Sequence, residues 1–180
     1  MRRLLTAAAL LMVAAIPCAA QDAPKAELSV GYNMLKFSDE TFPGGWYADV
    51  ARNVGSSMAV VGQVTGNYKS VDFEGIDVGL KYHSFAGGLR WLGRGPTSAG
   101  FAHVLIGMSN ANASSNASGL LDFNVSDSQR DTFMQLGGGI NLMTNAPIGL
   151  RIGVDYARIM TNGGENVIRF ATGIVIPMGR

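Results

Sequence analysis

The chain has 180 residues, enough for one domain with one sizeable core, and its formal net charge of +1 gives no electrostatic footprint for nucleic acid or an acidic partner. Charged residues make up only 15% and hydrophobic ones 47%, with 24 glycines, which fits a surface shown largely to something other than water and also fits a glycine-rich secreted β domain. After residue 20 nothing approaches the ~18 consecutive apolar residues of a spanning helix, so any membrane crossing is made by strands.

Met1-Arg2-Arg3, the apolar run Leu4 to Ile16, and Pro17-Cys18-Ala19-Ala20 read together as a cleavable signal peptide, residues 1–20, cut before Gln21. Pro17 stands where a lipoprotein signal wants Gly or Ala before its cysteine, which argues against lipidation at Cys18. Cleavage after Ala20 removes the only cysteine, and with it disulfides, thiolate catalysis and cysteine-based metal sites from the domain at 21–180. Such an exported domain must be held by its own hydrogen-bond ladder, which a closed barrel provides.

A polar lead-in, Gln21 to Lys25, precedes a first strand over Ala26 to Lys36, where Leu28, Val30, Tyr32 and Met34 alternate with Ser29, Gly31 and Asn33. Ser38 to Gly44 reads as a loop punctuated by Pro43-Gly44-Gly45. The second strand, Trp46 to Val54, sets Trp46, Ala48 and Val50 against Tyr47 and Asp49; Gly55-Ser56-Ser57 then turns the chain. The third, Met58 to Tyr68, sets Val60, Gly62, Val64 and Tyr68 against Gln63, Thr65 and Asn67, and Lys69 to Gly75 forms a second loop. In the fourth, Ile76 to Trp91, Val78, Leu80 and Tyr82 have one parity and Phe85, Leu89 and Trp91 the other, so a bulge near Gly87-Gly88 is expected.

Gly93 to Ser98 is a turn, and the fifth strand, Gly100 to Ser109, places Ala102, Val104, Ile106 and Met108 opposite His103, Leu105 and Gly107. The Asn-, Ser- and Ala-rich stretch Asn110 to Arg130 is expected to be irregular, with an apolar tip at Leu120-Leu121-Asp122-Phe123. Strand six, Asp131 to Met143, sets Met134, Leu136, Ile140 and Leu142 against Gln135, Gly137, Gly139 and Asn141; Thr144-Asn145-Ala146-Pro147 turns into the last hairpin. There Ile148, Leu150, Ile152, Val154 and Tyr156 alternate with Gly149, Arg151, Gly153 and Asp155. Past Thr161 to Gly164, Ile168, Phe170, Thr172, Ile174, Ile176 and Met178 alternate with Arg169, Ala171, Gly173 and Val175.

A soluble sheet with one buried face shows the same alternation, but Gly, Arg, Asp and Asn on the other face suit a narrow interior in which small residues make room for charged pairs. The expected fold is all-β: an eight-stranded antiparallel up-and-down transmembrane β-barrel preceded by the signal peptide, greasy outside and polar within. Trp46, Tyr68, Phe133 and Phe37 would form an outer aromatic girdle, and Trp91 and Phe101 an inner one.

At this point the mature chain resembles the small outer-membrane β-barrel family, the OmpA/OmpX-like transmembrane domains. The most specific shared feature is the C-terminal Gly-x-x-apolar-x-apolar pattern, Gly173-Ile174-Val175-Ile176-Pro177-Met178, with Gly173, Ile176 and Met178 as the assembly signal. The family usually finishes on an aromatic residue; this chain finishes Met178-Gly179-Arg180. The resemblance implies a monomer in the outer membrane of a Gram-negative bacterium. It would have a structural, adhesion or weak porin-like role, with outer-membrane lipid and the barrel-assembly machinery as partners, and with neither cofactor nor nucleic acid.

Asp49, Arg90, Gln135, Arg151, Asp155 and Arg169, with Glu27, are the expected interior polar network, read as a salt-bridged plug rather than an ion path. A lipid-modifying enzyme would need a Ser–His pair. His83 and Ser84 point to opposite faces, and His103 and Ser109 lie about 20 Å apart along a strand, so no catalytic residue is expected. Gly137-Gly138-Gly139 lacks the strand–turn–helix setting of a phosphate cradle. Asn112-Ala-Ser114, Asn116-Ala-Ser118 and Asn124-Val-Ser126 fit a glycosylation pattern that Asn/Ser-rich sequence produces by chance. The rival class is a secreted soluble barrel of lipocalin type that binds a small apolar ligand.

Overall fold

The structure, a computed structural model, describes residues 24–38, 40–73, 76–116, 126–160 and 164–179, with side chains at 71–78 and 113–128 outside the description. The signal peptide, the Leu120-to-Phe123 tip and the triplets beginning at Asn116 and Asn124 therefore lie outside the described residues.

The strands are β1 (Ala26–Lys36), β2 (Thr41–Phe42), β3 (Gly44–Asn53), β4 (Met58–Phe73), β5 (Ile76–Arg94), β6 (Ser98–Asn116), β7 (Ser126–Leu142), β8 (Gly149–Ile159) and β9 (Glu165–Met178). Apart from the short β2, each pairs antiparallel with its sequence neighbours, and β1 closes the sheet on β9 from Ala26↔Met178 to Lys36↔Ile168. β2 and β3 are two parts of one returning arm. Between the pairs Tyr32↔Trp46 and Leu35↔Phe42 the chain advances three residues on β1 but four on the other side. The extra residue is a bulge at Pro43, which has no N–H to give to a ladder. The barrel is thus eight-stranded, and much of the expected loop at 38–44 is paired.

Three further expectations are corrected. β4 continues to Phe73, and β6 and β7 pair from Ser98↔Leu142 out to Ser114↔Ser126, where the sequence suggested loops. In β6 and β7 these outer portions have polar residues at both parities, so no apolar period marks them, yet the backbone ladder carries on regardless. The bulge near Gly87-Gly88 is absent: β5 keeps one register with β4 from Met58↔Trp91 to Phe73↔Ile76, and one with β6 from Asp77↔Asn116 to Arg94↔Ala99. The parity conflict has another cause. Phe85, Leu89 and Trp91 face outward, while Leu80 and Tyr82 face inward onto an apolar cluster at the outer mouth.

Outward side chains form a continuous greasy belt. Ile152 is 54% and Val154 47% exposed, with Val50, Val60, Ile106, Leu136 and Phe170 similarly bare, while Arg151, next to Ile152, is 2% exposed. Trp46, Tyr68 and Trp91 lie on this outer surface. The other three girdle candidates do not: Phe101 and Phe133 are buried in the interior, and Phe37 packs against Phe42 and Tyr82. Phe101 and Phe133 occupy the inward parity of their strands, which overrides their place near strand ends, and Phe37 lies just beyond β1. No helix among the described residues is long and apolar enough to cross a membrane, which says nothing of strands.

Candidate functional site in the barrel interior

The inward positions of β1, β3, β5, β7 and β8 bring a charged cluster to the axis. Arg90, fully buried, donates from Nη1 and Nη2 to Asp49 Oδ1 and Oδ2 at 3.2 and 3.0 Å. Arg151 donates from Nη1 to the same two oxygens at 3.0 and 2.7 Å, and from Nε to Asn141 Oδ1 at 2.8 Å. Its Nη2 lies 3.5 Å from Glu27, whose other carboxylate oxygen is 3.0 Å from Arg94 Nη2. Both central guanidiniums lie over the Phe101 ring, Arg90 at 5.0 Å and Arg151 at 4.9 Å from its centroid. Here an inward aromatic offers a π-face to two cations that share a single carboxylate.

A second cluster joins β4, β6, β7, β8 and β9. Asp155 is bound by Arg169, whose Nε donates to Oδ2 at 2.6 Å, and its Oδ1 is 2.9 Å from His103 Nε2. Arg169 Nη1 donates to Gln63 Oε1 at 2.8 Å, and Gln135 Nε2 reaches the same oxygen at 3.3 Å. The Arg169 guanidinium also sits over the Tyr47 ring, 5.7 Å from its centroid.

Glycine creates the space for these groups. A Cβ on Gly137 would coincide with the Asp155 carboxylate, one on Gly45 with the Asn33–Asn67 amide pair, and one on Gly173 would come within 2.7 Å of the Tyr47 hydroxyl. Toward the outer end the lining turns apolar: Leu35, Phe42, Phe133, Ile159 and Val167 pack together, with Phe37, Leu80 and Tyr82 against them. The interior is therefore layered, and not polar throughout.

Asp49, Arg90, Gln135, Arg151, Asp155 and Arg169 all lie buried in these two clusters, as does Glu27. Gln63, Asn33, Asn67, Asn141 and His103 belong to the same interior and are not counted in the expected network, although each has the inward parity of its strand; the sequence reading weighs His103 only as a partner of Ser109. Arg94, read as part of a turn, reaches Glu27, Asn53 Oδ1 at 3.1 Å and the Ser56 carbonyl at 3.2 Å. Neither Ser–His pair meets. His83 contacts Tyr68 at 3.3 Å while Ser84 pairs with Thr65 at 2.7 Å; His103 holds Asp155 while Ser109 donates to the Asp131 carbonyl. Gly173, Ile176 and Met178 sit on the closing seam, opposite Gly31, Leu28 and Ala26.

A closed, antiparallel, eight-stranded meander with an apolar exterior and paired charge within is the fold of the small outer-membrane β-barrels. Among solved structures it is similar to Ail, the attachment invasion locus protein of Yersinia pestis, in complex with the heparin analogue sucrose octasulfate. That match has a TM-score of 0.58 and 18% identity, covering 86% of this chain and 99% of that one. It is similar to Neisserial surface protein A, with a TM-score of 0.63 and 10% identity over 85% and 96% of the two chains. It also resembles a major outer membrane protein from Thermus thermophilus, with a TM-score of 0.58 and 10% identity over 84% and 98%. No protein-family model matches the chain, and no curated protein matches it.

Proposed function

We propose that this chain is a monomeric outer-membrane protein of a Gram-negative envelope, exported by a cleaved signal peptide. Its work is structural or adhesive: the barrel ties the outer ends of its strands to the cell surface. The observation that carries this reading is the segregation along β8 and β9, where Ile152, Val154 and Phe170 are bare while Arg151, Asp155 and Arg169 are buried and paired. Water would make the opposite arrangement favourable, as in a lipocalin, whereas hydrocarbon favours this one.

The interior network acts as a plug that holds the strands in register, not as catalytic machinery. Its histidine, His103, is held between Asp155 and Gln135, with no serine partner among the described contacts. The barrel-assembly machinery is the proposed biogenesis partner, through Gly173, Ile176 and Met178. Expression in a Gram-negative host tests the proposal by fractionation and gel migration with and without boiling. The mature protein should sediment with outer membranes and show heat-modifiable migration. Recovery from the soluble periplasm without detergent would refute it.

A further inference from the structure

At the outer end of the lumen a cavity of about 480 Å³ opens above the apolar layer. Phe37, Phe42, Leu80, Tyr82 and Ile159 line it, and Phe42 and Ile159 also belong to the buried cluster that closes it from below. Its size falls in the usual range for small-molecule sites, and its lining combines these apolar side chains and Ala111 with seven polar residues.

Three of those seven polar residues are acidic and one is basic. Glu40, Asp131 and Glu165 line the cavity, and among its described lining residues the single cation is Lys81, which has the opposite parity to Leu80 and Tyr82 on β5. Tyr82 lines the cavity together with Ser109, Asp131 and Glu165. The chain itself already places an ammonium here: Lys69 Nζ sits over the Phe42 ring, 5.9 Å from its centroid, and 3.6 Å from Glu40. An aromatic floor with carboxylates around it is the combination that attracts organic cations, through the ring face and through charge.

We infer that this cavity is a binding site for a small organic cation with an apolar or aromatic body. The cationic head lies near Asp131 and Glu40, and the body rests on Phe37, Phe42 and Tyr82. Because the lumen is closed below, the site receives the ligand from outside and does not pass it on.

The test uses the full mature chain in nanodiscs of zwitterionic phospholipid, with ¹⁹F line broadening of 4-fluorophenethylammonium as the readout and empty discs as baseline. Saturable broadening is expected, with 4-fluorophenylacetate and neutral 4-fluoroethylbenzene each binding at least about tenfold more weakly. Asp131→Asn, which keeps size and hydrogen bonding, should weaken the cation about fivefold, as loss of one partly exposed charge contact does. Lys69→Met frees Glu40 and the Phe42 face and should tighten binding about threefold. Heat-modifiable migration shows that each variant is folded, and Glu40→Gln replaces Asp131→Asn should the latter misfold. Equal binding of the anion or the neutral probe, no saturable signal above empty discs, or an unchanged affinity in folded Asp131→Asn would overturn the inference.

Discussion

Replacing Asp49 by alanine probes the interior with a single change. Among the described contacts Asp49 is the only carboxylate on Arg90, accepting both Nη atoms, and it is the closer of two on Arg151. At about 3 Å and an effective dielectric of ~20, one such pair is worth roughly 5 kcal/mol before desolvation. The substitution returns none of the desolvation already incurred by the guanidiniums, and losing one partner of a buried pair costs about 3–5 kcal/mol. Arg151 retains Asn141 at 2.8 Å and Glu27 at 3.5 Å, so the loss falls chiefly on Arg90, left with the Phe101 ring. The expected destabilisation of D49A is therefore about 3 kcal/mol, at the lower end of that range.

Urea titration in phospholipid vesicles reads it, with Trp46 and Trp91, both on the outer face, as fluorescent reporters of leaving the bilayer. The companion variant D49L/R90M/R151M removes the charges together and should recover to within about 1 kcal/mol of the wild type, since apolar groups of similar volume replace buried ion pairs at little net loss. A D49A loss below about 1 kcal/mol, with no recovery in the triple variant, would mean that water screens these charges. The plug proposed for the lumen would then be refuted.

Further outcomes follow from the packing. Gly137→Ala displaces the Asp155 carboxylate from Arg169 and His103 and should cost about 2–3 kcal/mol in the same titration. Gly62→Ala and Gly100→Ala, where a Cβ meets nothing within 4 Å, should be neutral or stabilising by up to about 1 kcal/mol. Val154→Arg, on the outer belt, should cost about 2–4 kcal/mol in a bilayer, whereas a near-zero effect would favour the soluble rival. Met178→Phe introduces an aromatic residue of the kind that usually ends the outer-membrane barrels this chain resembles and should speed assembly by purified barrel-assembly machinery, read as the rate at which the heat-modifiable band appears. An unchanged rate would remove Met178 from the assembly signal.

Parity was the most legible feature of the sequence. In the last hairpin Arg151, Asp155 and Arg169 alternate with Ile152, Val154 and Phe170, and the structure buries the first set and exposes the second. Asp155 and Arg169 were legible as inward residues but not as a pair; the hairpin register that sets them directly opposite each other comes from the structure. Two kinds of feature were hidden. Where neither face is apolar, as in Asn110 to Asn116, the strand leaves no period although its ladder persists. Where both faces are apolar, as in β5 between Leu80 and Trp91, lipid belt and inner cluster look alike in sequence, and a change of parity imitates a bulge.

The central cluster shows what a one-dimensional pattern leaves out. Asp49 meets Arg90 from 41 residues away and Arg151 from 102, and the order of the strands places β1 and β9 between β3 and β8. Alternation says that each of these residues points inward, and register says how high each sits. Neither says which residues face each other across the axis; that follows only from closure, when β1 finds β9 and the sheet acquires an inside. Closure thus does two things at once. It leaves no strand edge unpaired along the β1–β9 seam, and it brings three distant side chains to a distance at which their charges offset one another. An open sheet of the same sequence would retain the greasy face and the ladders, but Asp49, Arg90 and Arg151 would each be buried alone or left in water. In this chain the pairing of Asp49 with Arg90 and Arg151 thus exists only in the closed barrel, which is why the D49A and D49L/R90M/R151M titrations probe closure as well as charge.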